Sequence, residues 1–288
     1  MACTRPVTAW RSKELNANGN RPLVFAEHKG LEGSQLKIPC HQCTGCRIEH
    51  GSGWSVRLMH ESKFHMCSCF LTLTYDDEHL PEHRSLVKRD VQLFYKRVRK
   101  AFPDLPIRHF TVGEYGEKTQ RPHSKNKAGD QLYTSADLDR LWGKGQCLIG
   151  SVSPQSCGYV AGYAFKKING KRADEHYRRV DPRTGETWML QKEFSLMSTH
   201  PGIGYQHYAN YCDSMYVRGS VIVKGRQLPI PKYYDRLLKR DDPLRLDSIK
   251  TGRFEDALAH AADQTPERLA VKEEILLAKR REHVHKHL

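Results

Sequence analysis

MCSCFLTLTYDDEHLPEHRSLVKRDVQLFYKRVRK, residues 66–100, decides the fold class. Its first ten residues are rich in β-branched and aromatic types and alternate toward their end, which predicts a strand over Met66–Tyr75, ended by Asp76-Asp77. The period then changes. From Ser85 to Lys100, Val87, Val91, Phe94 and Val98 recur at spacings of three and four, the pattern of an amphipathic helix. Working outward, Pro106–Tyr115 reads as a second strand turning at Gly116, residues 119–135 as a polar loop, and Ser135–Trp142 as a short helix. Ile149–Val152 reads as a third strand feeding another helix, with Ser153 as a good N-cap and Pro154 at the first helical position. Strand, helix, strand, strand, helix is the order of an α+β fold, an antiparallel sheet with helices packed on it.

The flanks differ in character. Residues 1–53 read as an irregular, cysteine-rich segment, and a helix is expected only from Trp54, over WSVRLMHESKFH. Ser220–Pro231 looks like a hairpin, and residues 253–288 a charged helical tail with Pro266 at a first helical position. The expected division is 1–53, 54–240 and 241–288.

Lys and Arg number 47 against 33 Asp and Glu in 288 residues, a formal charge of +14. Such an excess favours a polyanionic partner, because each cation placed on a phosphate releases condensed counterions. Nucleic acid fits; a membrane does not, since no apolar run approaches a spanning length. The predicted helix over 85–100 carries Lys88, Arg89, Lys96, Arg97, Arg99 and Lys100 away from its apolar stripe, a candidate DNA-binding face or simply a solvated one. The opening MACTRPVTAWRSKEL lacks a secretory apolar stretch, so a cytosolic protein is expected.

Tyr159 and Tyr163, in GYVAGYAFKK, stand four apart and so share a helix face, with Lys166 and Lys167 one turn on. A phenol beside a cation and a metal can attack phosphorus and form a covalent intermediate. The bland reading is that the pair packs a helix onto a sheet.

Nine cysteines are many for a reducing compartment. Cys40, Cys43 and Cys46 have chelating spacing, and Cys3 could complete a tetrahedral site, with His41 or His50 as alternative fourth ligands. A structural zinc there would staple the N-terminal segment; an iron–sulfur cluster and plain apolar packing are the other readings.

Several stretches together carry a family signature: PCHQCTGCR (39–47), FLTLTYDDEHLP (70–81), SLVKRDVQLFYKRVRK (85–100), GEYGEKTQRPH (113–123), LYTSADLDRLWGKGQCLIGSV (132–152), YVAGYAFKK (159–167), EFSLMSTHPGIGY (193–205) and LPIPKYYDRLL (228–238). Through them the chain resembles the replication initiator proteins of gokushovirus-type microviruses, small single-stranded DNA phages. It thereby resembles the His-hydrophobic-His rolling-circle endonucleases. The resemblance implies a nuclease-like fold and a tyrosine-dependent DNA endonuclease and strand transferase. One of Tyr159 and Tyr163 would nick the origin and the other would later release a circle, with Lys166 or Lys167 near the developing charge. It implies Mg²⁺ or Mn²⁺ as cofactor, single-stranded or supercoiled origin DNA as partner with Arg121 among its contacts, host replication proteins as further partners, and the host bacterial cytoplasm as the place of action.

The chain departs from that pattern at the metal. In the resembled family, Arg-Pro-His is followed by an aromatic, a second His and an apolar strand; here Arg121-Pro122-His123 runs into Ser124-Lys125-Asn126-Lys127. Two His at i and i+2 on a strand face the same way, and one alone lacks that geometry. Three readings follow. His123 is helped by Glu114 or Asp76; His109 or His65 substitutes; or the protein is a catalytically impaired relative that still binds nucleic acid.

Overall fold

The computed structural model describes residues 3–115, 122–123, 131–163 and 172–285. Arg121, Lys166 and Lys167 lie outside them, as do the side chains of His123 and Tyr163. The chain divides into two compact units, one of residues 1–50 with 238–288 and one of residues 51–237.

The N-terminal segment is not irregular. Strands β1 (Val7–Arg11), β2 (Leu23–Val24) and β3 (Leu36–Ile38) form an antiparallel sheet in the order β2-β1-β3, with Val7 opposite Ile38 and Trp10 opposite Val24. These strands are too short to give a period-two signal, which is why composition reads as loop. Helix α1 (Thr44–Ser62) begins ten residues before Trp54. Gly51 and Gly53 look like helix breakers, yet they sit in the helix where neighbours come close: Cβ atoms there would meet Gly162 N and Pro231, each at 4.0 Å. Packing overrides propensity.

In the unit of residues 51–237, β4 (Cys69–Leu73) precedes α2 (Lys88–Ala101), then β5 (Phe110–Tyr115), β6 (Pro122–His123), β7 (Tyr133–Thr134), α3 (Ala136–Trp142), β8 (Cys147–Ser151) and α4 (Pro154–Tyr163). Next come α5 (Arg172–Tyr177), β9 (Arg178–Val180), β10 (Thr187–Met189), β11 (Phe194–Met197), α6 (Tyr205–Arg218), β12 (Val221–Val223), β13 (Arg226–Leu228) and α7 (Lys232–Asp241). The α+β class holds and the strand ladders are all antiparallel, though among the described residues the strands fall into small sheets. One is β4-β8-β7, with Cys69 opposite Ser151 and Leu73 opposite Cys147; another is β11-β5-β6. Phe94 and Val98 of α2 pack on Trp142 and Cys147, and Trp142 Nε1 donates to Thr74 O at 2.8 Å. The predicted hairpin is present: Lys224 and Gly225, both at positive φ (45° and 74°), link β12 to β13, as a two-residue turn between right-twisted strands requires.

A buried polar network ties α1 to two of the signature stretches. Glu61 accepts from Arg108 and from Gly204 N (2.6 Å), and the Arg57 guanidinium lies between the Trp54 and Tyr233 rings, 3.8 Å from each centroid. Glycine is required at 202 and 204, where a Cβ would strike the Tyr233 and Tyr234 hydroxyls. His60, fully buried, hydrogen-bonds Tyr234 OH through Nδ1 (2.9 Å) and stacks on His207, centroids 3.5 Å apart. Burial, with His207 and Lys63 adding to it, brings the His60 pKa down to about 3, and burial brings His207 to about 4. Unfolded histidine titrates near about 6.5, so the unfolded chain takes up protons first as pH falls below that value. Stability is therefore full above about pH 6.5 and falls below it, His60 alone accounting for about 2 kcal/mol at pH 5. We expect the denaturant midpoint of this unit to drop between pH 7.5 and pH 5; a flat profile would show that these imidazoles are not held neutral.

The last elements are α8 (Pro243–Ala259) and α9 (Pro266–His285), and α9 does begin at Pro266, with Thr265 Oγ1 accepting from Arg268 N. The residues from Leu238 on group with residues 1–50, and Arg5 Nε meets Glu273 of α9 at 2.8 Å. Among the described residues no helix is long and apolar enough to cross a membrane.

Candidate active site

Helix α4 forms for local reasons. Ser153 Oγ accepts from Ser156 N (3.1 Å), Ser156 Oγ accepts from Ser153 N (2.8 Å), and Pro154 occupies the first turn, a reciprocal cap that ties off the orphan donors. The helix is seated by its small side. Cys157 and Ala161 are buried, Ser55 Oγ donates to Pro154 O (3.3 Å), and Cys157 Sγ lies 3.7 Å from Met59 Sδ. A residue two positions further along a helix lies about 200° round it. The Tyr159 and Tyr163 positions therefore occupy the face opposite Cys157 and Ala161, and Tyr159 is only half-buried. Packing onto the core is the job of the other face.

Helix α4 runs against β5, the strand that carries Glu114. Glu114 is 3% exposed and pairs across the ladder with His123 of β6. Directly opposed residues in an antiparallel pair project to one face, so these two positions share a side of the sheet. His109 does not. It stands five residues before Glu114, on the other face, stacked on Tyr95 at 3.9 Å. His65 is bonded to Glu61 (3.3 Å) at the end of α1. Asp76 lies beyond β4, exposed, and accepts from both the backbone N and the Nδ1 of His79, each at 2.8 Å. That pairing holds its carboxyl below the usual range.

The basic face of α2 is split. Lys88, Arg89, Lys96 and Lys100 are exposed and available to an anion. Arg97, though on the surface, donates to Leu141 O (2.6 Å) and Trp142 O (2.7 Å), tying off the end of α3, and Arg99 is engaged with His109 Nδ1 (3.3 Å). Two buried residues near β5 went unnoticed in the sequence. Tyr177 donates to Glu193, the residue just before Phe194, which itself pairs with Gly113. A lone Glu in EFSLM gives no periodic or spacing signal that could have marked it.

Cys3, Cys40, Cys43 and Cys46 come together, their sulfur atoms all within 4.8 Å of one another, and could hold a metal ion. Among the described residues they are the one group of three or more such side chains so arranged. Burial opposes ionisation of Cys43, but hydrogen bonds from Thr4 and Cys46 outweigh it and bring its pKa to about 6; burial and the neighbouring thiols push Cys46 up.

A family model for replication-associated proteins of the ORF2 type matches residues 68–168, the stretch from just before β4 to just beyond α4. The replication-associated protein VP4 of Bdellovibrio phage phiMH2K is 32% identical over 269 residues, covering 84% of this chain and 79% of that protein. The replication-associated protein ORF2 of Spiroplasma virus 4 is 31% identical over 246 residues, covering 75% and 72%. The replication-associated protein ORF4 of Chlamydia phage 1 is 24% identical over 227 residues, covering 70% and 54%. No solved structure is a significant match.

Proposed function

The chain belongs to the phage replication-associated proteins, the microvirus-type replication initiators, and on that premise we propose that it nicks single-stranded origin DNA through a phosphotyrosine and later rejoins the ends. One observation carries this reading: the paired tyrosines lie on the face of α4 turned away from its packing side, on a helix that runs against the strand bearing Glu114. In the nicking step a phenol oxygen of Tyr159 or Tyr163 bonds to phosphorus while the bond from phosphorus to the 3′ oxygen breaks. The phenol gives up its proton and the 3′ oxygen gains one, leaving a 5′-phosphotyrosine and a free 3′-hydroxyl. No water or redox partner is consumed, so the ester's free energy is kept for rejoining. The second tyrosine repeats the exchange after one round of synthesis.

The proposed ligands of the divalent ion are Glu114 and His123, a carboxylate residue and a histidine at opposed positions of one ladder, a donor pair suited to Mg²⁺ or Mn²⁺. Such an ion supplies charge stabilisation at the scissile phosphate. Asp76 can join only by leaving His79. Lys166 or Lys167 would meet the charge that develops on the phosphate oxygens. Lys88, Arg89, Lys96 and Lys100 would track the DNA backbone, with Arg121 nearer the scissile end. The place of action is the host bacterial cytoplasm, on single-stranded or supercoiled origin DNA and in company with host replication proteins.

A specific feature favours a second reading, that of an impaired relative which binds DNA without cutting it. The sequence holds no histidine between His123 and His176. An origin oligonucleotide incubated with the protein and Mg²⁺ or Mn²⁺ decides between the two. A covalent adduct on a denaturing gel is expected. Salt-sensitive binding with no adduct would leave the second reading standing.

A further inference from the structure

We infer that Cys3, Cys40, Cys43 and Cys46 bind one zinc ion as a tetrathiolate, and that this ion joins the N-terminal sheet to helix α1. Zinc with four sulfur ligands at about 2.3 Å in a tetrahedron sets sulfur atoms about 3.8 Å apart. The Cys3 sulfur lies 3.7 Å from that of Cys40 and 3.8 Å from that of Cys43. None of the four is in a disulfide. A cluster of several irons would need its thiolates further apart than a single ion does, so the spacing selects a mononuclear site.

The surroundings are those of thiolates. Thr4 N and Cys46 N donate to Cys43 Sγ, both at 3.4 Å; Cys40 N donates to Cys3 Sγ at 3.3 Å, and Cys43 N to Cys40 Sγ at 3.3 Å. His41, at φ 58°, makes the tight turn that brings Cys40 and Cys43 together. Helix α1 starts at Thr44, so its positive end sits beside Cys43. Apolar packing is a poor account of the cluster. Its buried members are cysteines alone, with no aliphatic or aromatic side chain among the residues packed on them.

The position of the four residues gives the ion its effect. Cys3 precedes β1, Cys40 follows β3, and Cys43 and Cys46 open α1. One ion thus closes a loop between Cys3 and Cys40 and fixes a short sheet that has little core of its own. Arg5, two residues after Cys3, reaches Glu273 on α9, so the same anchor bears on the C-terminal helix.

The test uses the full chain purified without chelator. Elemental analysis is expected to find about one zinc per chain, lost in Cys3→Ser and in Cys43→Ser and kept in Cys67→Ser, whose thiol is exposed and outside the cluster. Because a ligand variant could simply misfold, the wild-type chain is also stripped with a chelator and titrated with Co²⁺. Visible absorption of a tetrahedral thiolate complex at one equivalent supports the site. Limited proteolysis of the stripped protein is expected to open residues 1–50 and 238–288 while 51–237 stays protected, and added Zn²⁺ to reverse it. Protein with neither zinc nor a cobalt spectrum, with iron in place of zinc, or with zinc retained in Cys43→Ser overturns the inference. The phosphotyrosine reading is untouched by any of these results.

Discussion

Replacing Tyr159 and Tyr163 together by Phe abolishes the covalent adduct with an origin oligonucleotide and leaves salt-dependent DNA binding unchanged. The change removes two oxygen atoms and nothing else, so ring volume and helix propensity persist. The seating of α4 persists as well, because Cys157, Ala161 and the Ser153–Ser156 cap carry it. What is lost is the atom that bonds to phosphorus. Deleting a nucleophile outright costs on the order of 10⁴-fold or more, which puts the adduct below detection on a gel. Binding is a separate quantity, set by lysines and arginines on phosphates and read from the slope of affinity against salt. That slope is expected to match wild type. Adduct formed by the double variant would place the nucleophile elsewhere in the chain, and lost binding would mean the tyrosines serve DNA contact or folding instead. Each single variant keeps one phenol and is expected to form adduct in one half of the reaction only.

The elements nearest this site are the most legible, for a physical reason. β4, α2 and α4 carry their instructions locally: alternation in FLTL, a four-three-four apolar stripe from Val87 to Val98, and a Ser-Pro start at residue 153. The hairpin at Lys224-Gly225 and the start of α9 at Pro266 are local in the same sense. What escapes a sequence reading depends on partners distant along the chain. The strands of the first forty residues pair over short registers, and α1 runs through Gly51 and Gly53 because α4 and Pro231 lie close there. Arg97 reads from sequence as a DNA contact and instead closes α3, 44 residues away. The tyrosine pair can be found from spacing, but which side of its helix faces inward cannot. That needs the burial of Cys157 and Ala161.

Glu114→Gln is expected to lower Mn²⁺-supported nicking by about 10²- to 10³-fold, the range seen when one charge-stabilising group is removed at a phosphoryl or acyl centre. Gln keeps the volume of a side chain that is 3% exposed, so the protein should fold, and metal-free DNA binding should not move. Mn²⁺ affinity, measured directly by magnetic resonance or calorimetry, should weaken in step with the rate, separating a ligand from a residue that only packs. The opposite change tests the same site from the other side. Lys125→His restores two histidines at i and i+2, the spacing at which both imidazoles face one way on a strand. It is expected to tighten Mn²⁺ and raise nicking, because His123 then has a partner donor beside the carboxylate residue paired with it. Unchanged Mn²⁺ affinity in Glu114→Gln would remove the carboxylate from the site. If Lys125→His converts a non-cutting protein into a nickase, the tyrosines are competent in this chain and the metal site alone limits it. If Glu114→Gln weakens Mn²⁺ while Lys125→His changes nothing, one histidine and one carboxylate already suffice, and the shortened segment after His123 has cost the enzyme no ligand it needs.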